Sequence, residues 1–266
     1  MITSDRSRTS CHWATLGLIA VLSACKPSGV SDQDVAGNGP KNATTAGSAQ
    51  TGITNPILAA AVASGTAPLP SAGSSATASD DLQAAELLAR NGKTNEALIR
   101  FSELIKANPD FEEAHFSRGF FLARLGRTEE AIESYKAALR LVPDYAEAHN
   151  NVGNLLVKMK RFDEAITHFQ AAIAKLPDNP SYHNNLGIAL AQHEKAEEAL
   201  QHFNQAVQLN AEYPDAWFNL GQTYSQMGRY PEAVRPLQMA IKLRPNLEVA
   251  KRMLKEVERR AGPRTP

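Results

Sequence analysis

Residues 146–179 read AEAHNNVGNLLVKMKRFDEAITHFQAAIAKLPDN, and residues 180–213 repeat the same pattern without a gap. Extending the alignment in both directions gives five rows: 78–111, 112–145, 146–179, 180–213 and 214–247. A fixed period of this length indicates a stack of identical structural units. Such stacks bind other proteins more often than they catalyse reactions.

Three columns of the alignment carry the pattern. An alanine recurs in every row, a large apolar residue follows it by four positions, and a small residue precedes both. The alanines are Ala97, Ala131, Ala165, Ala199 and Ala233; the large residues are Phe101, Tyr135, Phe169, Phe203 and Leu237; the earlier small residues are Ala85, Gly119, Gly153, Gly187 and Gly221. Small residues in fixed columns predict close helix crossings.

Each row predicts two amphipathic helices. In the third row the apolar residues of about 146–159 and of about 163–176 recur at spacings of three and four, which match the turn of an α-helix. A proline such as Pro177 then ends the second helix. The chain is therefore predicted to be all-α over these rows.

The columns resemble the tetratricopeptide repeat, a helix–turn–helix unit with the same period as these rows. This resemblance implies a right-handed superhelix, an α-solenoid of five helix pairs. Rows three and four depart from it, since Lys160 and Glu194 replace a turn glycine. Residues 248–266 begin in register without a partner helix, and we predict a C-terminal capping helix followed by a short tail.

Residues 1–24 have the composition of an export signal. Arg6 and Arg8 precede an apolar stretch from Trp13 to Leu22, which is too short to span a bilayer but long enough for a secretory signal. The stretch ends in Leu22-Ser23-Ala24-Cys25, which resembles the lipobox of bacterial lipoproteins. The alternative is an ordinary signal peptide followed by an incidental cysteine.

Cysteine content favours the lipoprotein interpretation. The chain contains two cysteines, and Cys11 would leave with the signal. Cys25 would then have no disulfide partner. The resemblance implies that Cys25 is lipidated and anchors the chain to a membrane. Because Lys26 follows it, we expect the outer membrane, with the protein facing the periplasm.

Residues 25–77 are rich in Gly, Ala, Ser, Thr and Pro and contain no aromatic residue. Such a composition cannot bury enough apolar surface to offset its conformational entropy. We therefore predict a disordered tether between the lipidated cysteine and the repeats.

Catalytic and metal sites are not predicted. His115, His149 and His183 share one column and His168 and His202 another, but members of one column lie a whole repeat apart and cannot share one ion. Trp217 completes the first column, which indicates packing. No cofactor or small-molecule substrate is expected. Lys plus Arg and Asp plus Glu each number 28, so the chain has no formal net charge. The sequence contains no basic patch of the kind that nucleic-acid binders need, and no nucleic-acid partner is expected.

The inner face of the first helices is the predicted binding surface, since these faces line the concave groove of such a stack. Side-chain amides recur there and each can donate to and accept from a peptide backbone. The amide residues are Asn150, Asn151, Asn154, Asn184, Asn185, Asn219 and Gln222; the basic residues beside them are Arg90, Arg124 and Lys158. The alternative is that the amides hydrogen bond from one repeat to the next.

We therefore expect a non-catalytic, membrane-anchored scaffold of the bacterial cell envelope that binds extended segments of partner proteins. One alternative is a structural assembly component, such as a pilotin-like lipoprotein or an accessory of secretion or polysaccharide export. An enzyme is a third class, which would need acid or nucleophile pairs converging in the groove.

Overall fold

The computed structural model describes residues 75–262. The predicted signal, Cys25 and nearly all of the predicted tether therefore lie outside the described residues, as do residues 263–266. Within residues 75–262 all regular structure is α-helical.

Eleven helices follow one another in this described part of the chain, two in each repeat and one at the end. The first helices of repeats 1 to 5 are α1 (Ser75–Arg90), α3 (Glu112–Arg124), α5 (Ala146–Lys158), α7 (Pro180–Gln192) and α9 (Pro214–Gln226). The second helices are α2 (Thr94–Ala107), α4 (Thr128–Leu141), α6 (Phe162–Lys175), α8 (Ala196–Leu209) and α10 (Tyr230–Leu243). The last helix is α11 (Glu248–Ala261).

Packing joins neighbours along the chain. Each first helix packs on the second helix of its own repeat, and each second helix packs on the first helix of the next. First helices also contact the first helices of adjacent repeats, whereas contacts between successive second helices are at most marginal in the described residues. The stack therefore curves with its first helices on the inner side. This α-solenoid is the fold class that the period predicts.

The recurring columns form the core. All five column alanines, from Ala97 to Ala233, are fully buried. Phe101, Phe169 and Leu237 are likewise 0% exposed, in the large column that follows. These residues fill the interior because their spacing places them on the same stripe of every second helix.

The turns inside repeats 3 and 4 carry backbone strain. Lys160 has φ 59° and Glu194 has φ 62°, in the left-handed region that glycine occupies in the same column of other repeats, as Gly126 does. A side chain in this region costs about 1–2 kcal/mol. The two departures noted in the sequence therefore keep the turn shape at an energetic cost.

The two ends of the stack differ. At the C-terminal end, α11 buries Ala250 and Val257 completely, and Arg260 donates a hydrogen bond to Tyr230 on α10. At the other end, Leu87 on α1 is 46% exposed, although its equivalent Phe121 is 5% exposed. No helix within residues 75–262 combines the length and apolarity that crossing a bilayer requires.

Candidate functional site

The candidate site is the concave groove, which we define as the inner surface formed by α1, α3, α5, α7 and α9. All the predicted amide and basic residues lie on these helices. Their positions recur from one repeat to the next, so the stack arranges them in rows along the groove. The structure separates them, however, into amides that bond between repeats and side chains that remain available.

Two amide pairs link successive repeats. Asn185 Nδ2 donates to Asn150 Oδ1 at 2.9 Å, and Asn219 Nδ2 donates to Asn184 Oδ1 at 2.9 Å. Asn184 is 3% exposed and Asn219 7%, so the second pair belongs to the interior. These four amides therefore hydrogen bond from one repeat to the next, which was the alternative to peptide binding in the sequence analysis.

The same column makes different bonds in the earlier repeats. Ser117 Oγ donates to Glu86 Oε1 at 2.7 Å, again joining two first helices. Asn151 Nδ2 donates instead to the hydroxyl of Tyr135 within its neighbouring repeat, at 3.4 Å. Burial raises the pKa of Tyr135, so its hydroxyl stays protonated at neutral pH.

Two other predicted amides are not committed in this way. Asn154 is half-buried, and Gln222 is 6% exposed. Neither side chain makes a hydrogen bond to another part of the described chain. Asn154 therefore leaves its amide accessible in the groove, and Gln222 is less accessible.

One edge of the groove is basic. Arg90, Arg124 and Lys158 occupy the last turn of their first helices, where a positive charge complements the helix dipole. Arg90 lies 3.6 Å from Glu86, and the Arg124 guanidinium lies 5.9 Å from the ring centre of Phe120. Lys158 is exposed and makes no ion pair with the described residues.

The opposite edge is acidic, with Glu113, Glu147 and Asp215 in the first turn of their helices. Arg244 neutralises Asp215 through two hydrogen bonds of 2.7 and 3.0 Å. Burial raises the pKa of Tyr145, and Glu147 and Glu113 raise it further. The sequence analysis identified the basic residues but not the acidic edge that lies opposite them.

A cleft at the N-terminal end of the groove was not predicted from the sequence. It lies between α1 and the loop that joins α2 to α3, has a volume of about 710 Å³, and is lined by Leu82, Gln83, Glu86, Phe111 and Glu113. Leu82 and Gln83 occupy groove columns, so comparing whole columns rather than amides alone would have pointed to it.

The histidine column has a defined hydrogen-bonding role. Each member contacts the backbone carbonyl oxygen six positions earlier. The pairs are His115 with Pro109 and His149 with Pro143, both at 2.9 Å, and His183 with Pro177 and Trp217 with Ala211, both at 2.8 Å. Because a backbone carbonyl oxygen can only accept a hydrogen bond, the histidine Nε2 atoms donate in these contacts, as the Trp217 nitrogen does.

The two histidine columns meet, which the sequence analysis missed. His149 Nδ1 lies 2.9 Å from His168 Nδ1, and His183 Nδ1 lies 3.2 Å from His202 Nδ1. Burial, followed by the adjacent His149, lowers the pKa of His168 to about 4. Burial and His183 also lower the pKa of His202. In both pairs the second histidine follows the first by 19 residues, and this constant spacing is the sequence signal for the pairs.

A metal site requires several His, Cys, Asp or Glu side chains close together. No group of three or more such side chains in residues 75–262 could hold an ion. The groove instead presents amides, cations, carboxylates and a few apolar side chains. These groups can form hydrogen bonds and ion pairs.

Comparisons with known families agree with the repeat period. A model described as TPR repeat matches residues 122–160, and two described as tetratricopeptide repeat match residues 150–215 and 190–256. The search of curated protein sequences returned no match.

Solved structures share the fold at low identity. YrrB, described as a TPR protein with an unusual peptide-binding site, is 22% identical, with 66% of this chain and 90% of YrrB covered and a TM-score of 0.59. Residues 41 to the end of MamA from Desulfovibrio magneticus RS-1 are 22% identical, with 68% and 99% covered and a TM-score of 0.61. At this identity the likeness shows the fold.

Proposed function

Because the chain belongs to the tetratricopeptide-repeat family over residues 122–256, we propose that it is a membrane-anchored cell-envelope scaffold that binds extended segments of partner proteins in its concave groove. The family and fold support the general role of a protein–protein interaction scaffold. The anchor, the location and the peptide-binding residues are the further parts of the proposal.

One observation carries the groove assignment. Arg124, Asn154 and Lys158 lie on the first helices of neighbouring repeats, α3 and α5, and make no hydrogen bond between repeats within residues 75–262. An extended segment on these helices can donate to and accept from the amide of Asn154. Carboxylates of the same segment can pair with Arg124 and Lys158 on the basic edge.

Two further considerations support this function. YrrB is described as having a peptide-binding site, and it shares this fold. The groove offers polar groups in rows rather than one enclosed pocket, which suits an extended protein segment better than a small molecule. We propose no small-molecule substrate, nucleic-acid partner or cofactor.

The proposed location rests on the N-terminal sequence alone. Leu22-Ser23-Ala24-Cys25 resembles a lipobox, and Lys26 follows the cysteine. We propose that lipidated Cys25 holds the protein at the outer membrane, facing the periplasm. A permanent structural component of an assembly is the second candidate, and it differs from the scaffold in how long partners stay bound.

A groove variant tests the proposal. Arg124, Asn154 and Lys158 are changed together to alanine, and partner capture from envelope extracts is measured after crosslinking. We expect capture to fall at least about tenfold, because hydrogen bonds to charged groups each contribute about 1.5–3 kcal/mol. The helical circular dichroism signal should remain that of the wild type.

The matched control removes three exposed side chains from the outer surface. Glu133, Thr167 and Gln201 occupy one column of the second helices, and all three are exposed. Changing them to alanine should leave capture unchanged. Equal capture by the groove variant and the wild type would place the binding surface outside this part of the groove.

A further inference from the structure

A second cleft lies outside the concave groove, between α2 of repeat 1 and α3 of repeat 2. Its volume is about 510 Å³, and none of the predicted groove residues lines it. Leu98 and Leu122 contribute to its walls and are 7% and 1% exposed. Ile99 also lines the cleft and is 61% exposed, the largest exposure among the large apolar residues described as exposed.

Ile99 departs from its column. The equivalent residues in the other repeats are exposed and polar: Glu133, Thr167, Gln201 and Arg235. The fold therefore places a solvated side chain at this position and does not require an apolar one. An exposed isoleucine beside two buried leucines offers apolar surface that a partner could cover.

Arg118, which also lines the cleft, departs from its column in the opposite direction. The equivalent residues Val152, Leu186 and Leu220 are apolar and at most 2% exposed. Arg118 is half-buried, and its Nη1 donates to the hydroxyl of Ser134 at 3.1 Å. A guanidinium has five N–H donors, so this neutral contact leaves most of its capacity unused.

No carboxylate of the described residues lies within ion-pairing distance of Arg118. Glu130 is the acid in its neighbourhood, but two hydrogen bonds of 2.7 Å commit that carboxylate to Arg127. A partly buried cation is stabilised when an anion pairs with it and forms hydrogen bonds. Arg118 is therefore equipped to bind a carboxylate from another molecule.

The side chains that line the cleft carry a net positive charge, as Arg118 does. Lys106, Arg118 and Arg127 line it, against one acid, Glu103. Glu103 lies 3.8 Å from Arg100, so its charge is partly compensated. Lys106 is exposed and makes no ion pair with the described residues. The cleft thus combines a net positive charge with an apolar edge.

We propose that this cleft is a second protein-binding site, which recognises a segment carrying an acidic side chain next to an aliphatic one. The carboxylate pairs with Arg118 and Lys106, and the aliphatic side chain packs on Ile99 and Leu98. Because the cleft shares no residue with the predicted groove site, the protein can hold two segments at once.

Fluorescence anisotropy with defined peptides tests this site on the purified full chain. The probes are a fluorescein-labelled peptide of four Asp-Leu units and its counterpart of four Asn-Leu units. We expect the Asp-Leu peptide to bind at least about tenfold more tightly, since the charge-assisted pair is absent from the Asn-Leu peptide.

Two variants separate binding from folding. Arg118→Leu restores the apolar residue type of its column, and Ile99→Glu introduces the residue found at Glu133. Each should weaken binding of the Asp-Leu peptide at least about tenfold. The melting temperature of Arg118→Leu should equal or exceed that of the wild type, so a loss of binding in this variant does not reflect a loss of fold. Lys255→Ala, at an exposed position on α11, removes one positive charge outside both sites; it serves as the control and should bind like the wild type.

Several results would overturn the proposal. These are an Asp-Leu peptide that does not bind, equal affinity for the two peptides, or unchanged affinity in Arg118→Leu. Binding that weakens in the groove variant Lys158→Ala but not in Arg118→Leu would place the peptide in the concave groove. Displacement by equimolar inorganic phosphate would assign the cleft to phosphate groups rather than to a protein carboxylate.

Discussion

Gly153 on α5 lies directly against the ring of Phe169 on α6, so that a Cβ atom at position 153 would be 2.7 Å from Cε1 of Phe169. Phe169 is completely buried and cannot move into solvent. The relationship recurs in neighbouring repeats, where a Cβ at Gly187 would lie 2.6 Å from Cε1 of Phe203. This contact sets the distance between the two helices of a repeat.

Gly153→Ala should therefore destabilise the stack although alanine favours helix. Overpacking a well-filled interior costs about 1–3 kcal/mol, whereas alanine gains about 1 kcal/mol over glycine in helix propensity. Because the ring of Phe169 cannot move into solvent, we expect the overpacking cost to be the larger of the two. We expect the urea midpoint of unfolding to fall. Gln170→Ala, at an exposed site on α6, is the control and should leave it unchanged or slightly raised. A Gly153→Ala protein more stable than this control would contradict the assigned contact.

The pair Asn184–Asn219 predicts a stability effect within the groove. Asn219→Ala removes the amide that donates to the buried Oδ1 of Asn184. An unsatisfied buried acceptor costs about 1–3 kcal/mol. Chemical denaturation should show a loss of this size, and Asn154→Ala should show little change. The reverse order would mean that the inter-repeat bond contributes nothing to stability.

The histidine pairs predict a loss of stability in mild acid. The pKa of His168 is about 4 in the folded chain, against about 6.5 in an unfolded one. Below pH 6.5 the unfolded chain therefore binds more protons, and stability falls as the pH drops towards 4. Allowing for solvent screening, we expect about 1–2 kcal/mol from His168. His202, whose pKa is also lowered, should act in the same direction.

Denaturation curves between pH 7.5 and 4.5 measure this dependence. The double variant His168→Gln/His202→Gln should be less stable at pH 7.5 but lose less stability on acidification. His115→Gln is the control, because Ser134 occupies the second column in that repeat and no histidine pair forms. If the double variant and the wild type lose equal stability, the pairs do not determine the pH dependence.

The fold could be predicted because each repeat packs within itself and against its neighbours. The same sequence pattern therefore specifies the same contacts in every repeat. The predicted third-row helices, about 146–159 and 163–176, match Ala146–Lys158 and Phe162–Lys175 within one residue. The small-residue column was assigned to the close crossing that Gly153 and Phe169 form. Local periodicity and nearest-neighbour packing are sufficient for such features.

The roles of individual groove amides were harder to predict, because they depend on pairs of columns. Asn185 has a partner because Asn150 occupies the adjacent column of the previous repeat. Asn151 has Phe116 at that position and bonds to Tyr135 instead. Although all three were predicted as groove amides, Asn219 is buried, whereas Asn151 and Asn185 are half-buried.

The proposed anchor gives the last prediction. Cys25 follows Leu22-Ser23-Ala24 and is the one cysteine that would remain after removal of residues 1–24. Cys25→Ser should therefore block lipidation, leave the precursor uncut, and abolish labelling by an alkyne analogue of palmitate. Globomycin, which inhibits the lipoprotein signal peptidase, should likewise leave the wild-type precursor uncut.

Cys11→Ser is the matched control, because that residue leaves with the signal, and it should be processed and labelled normally. Normal processing of Cys25→Ser to a protein in the soluble envelope fraction, with no labelling of the wild type, would show an ordinary signal peptide and remove the anchor from the proposed function.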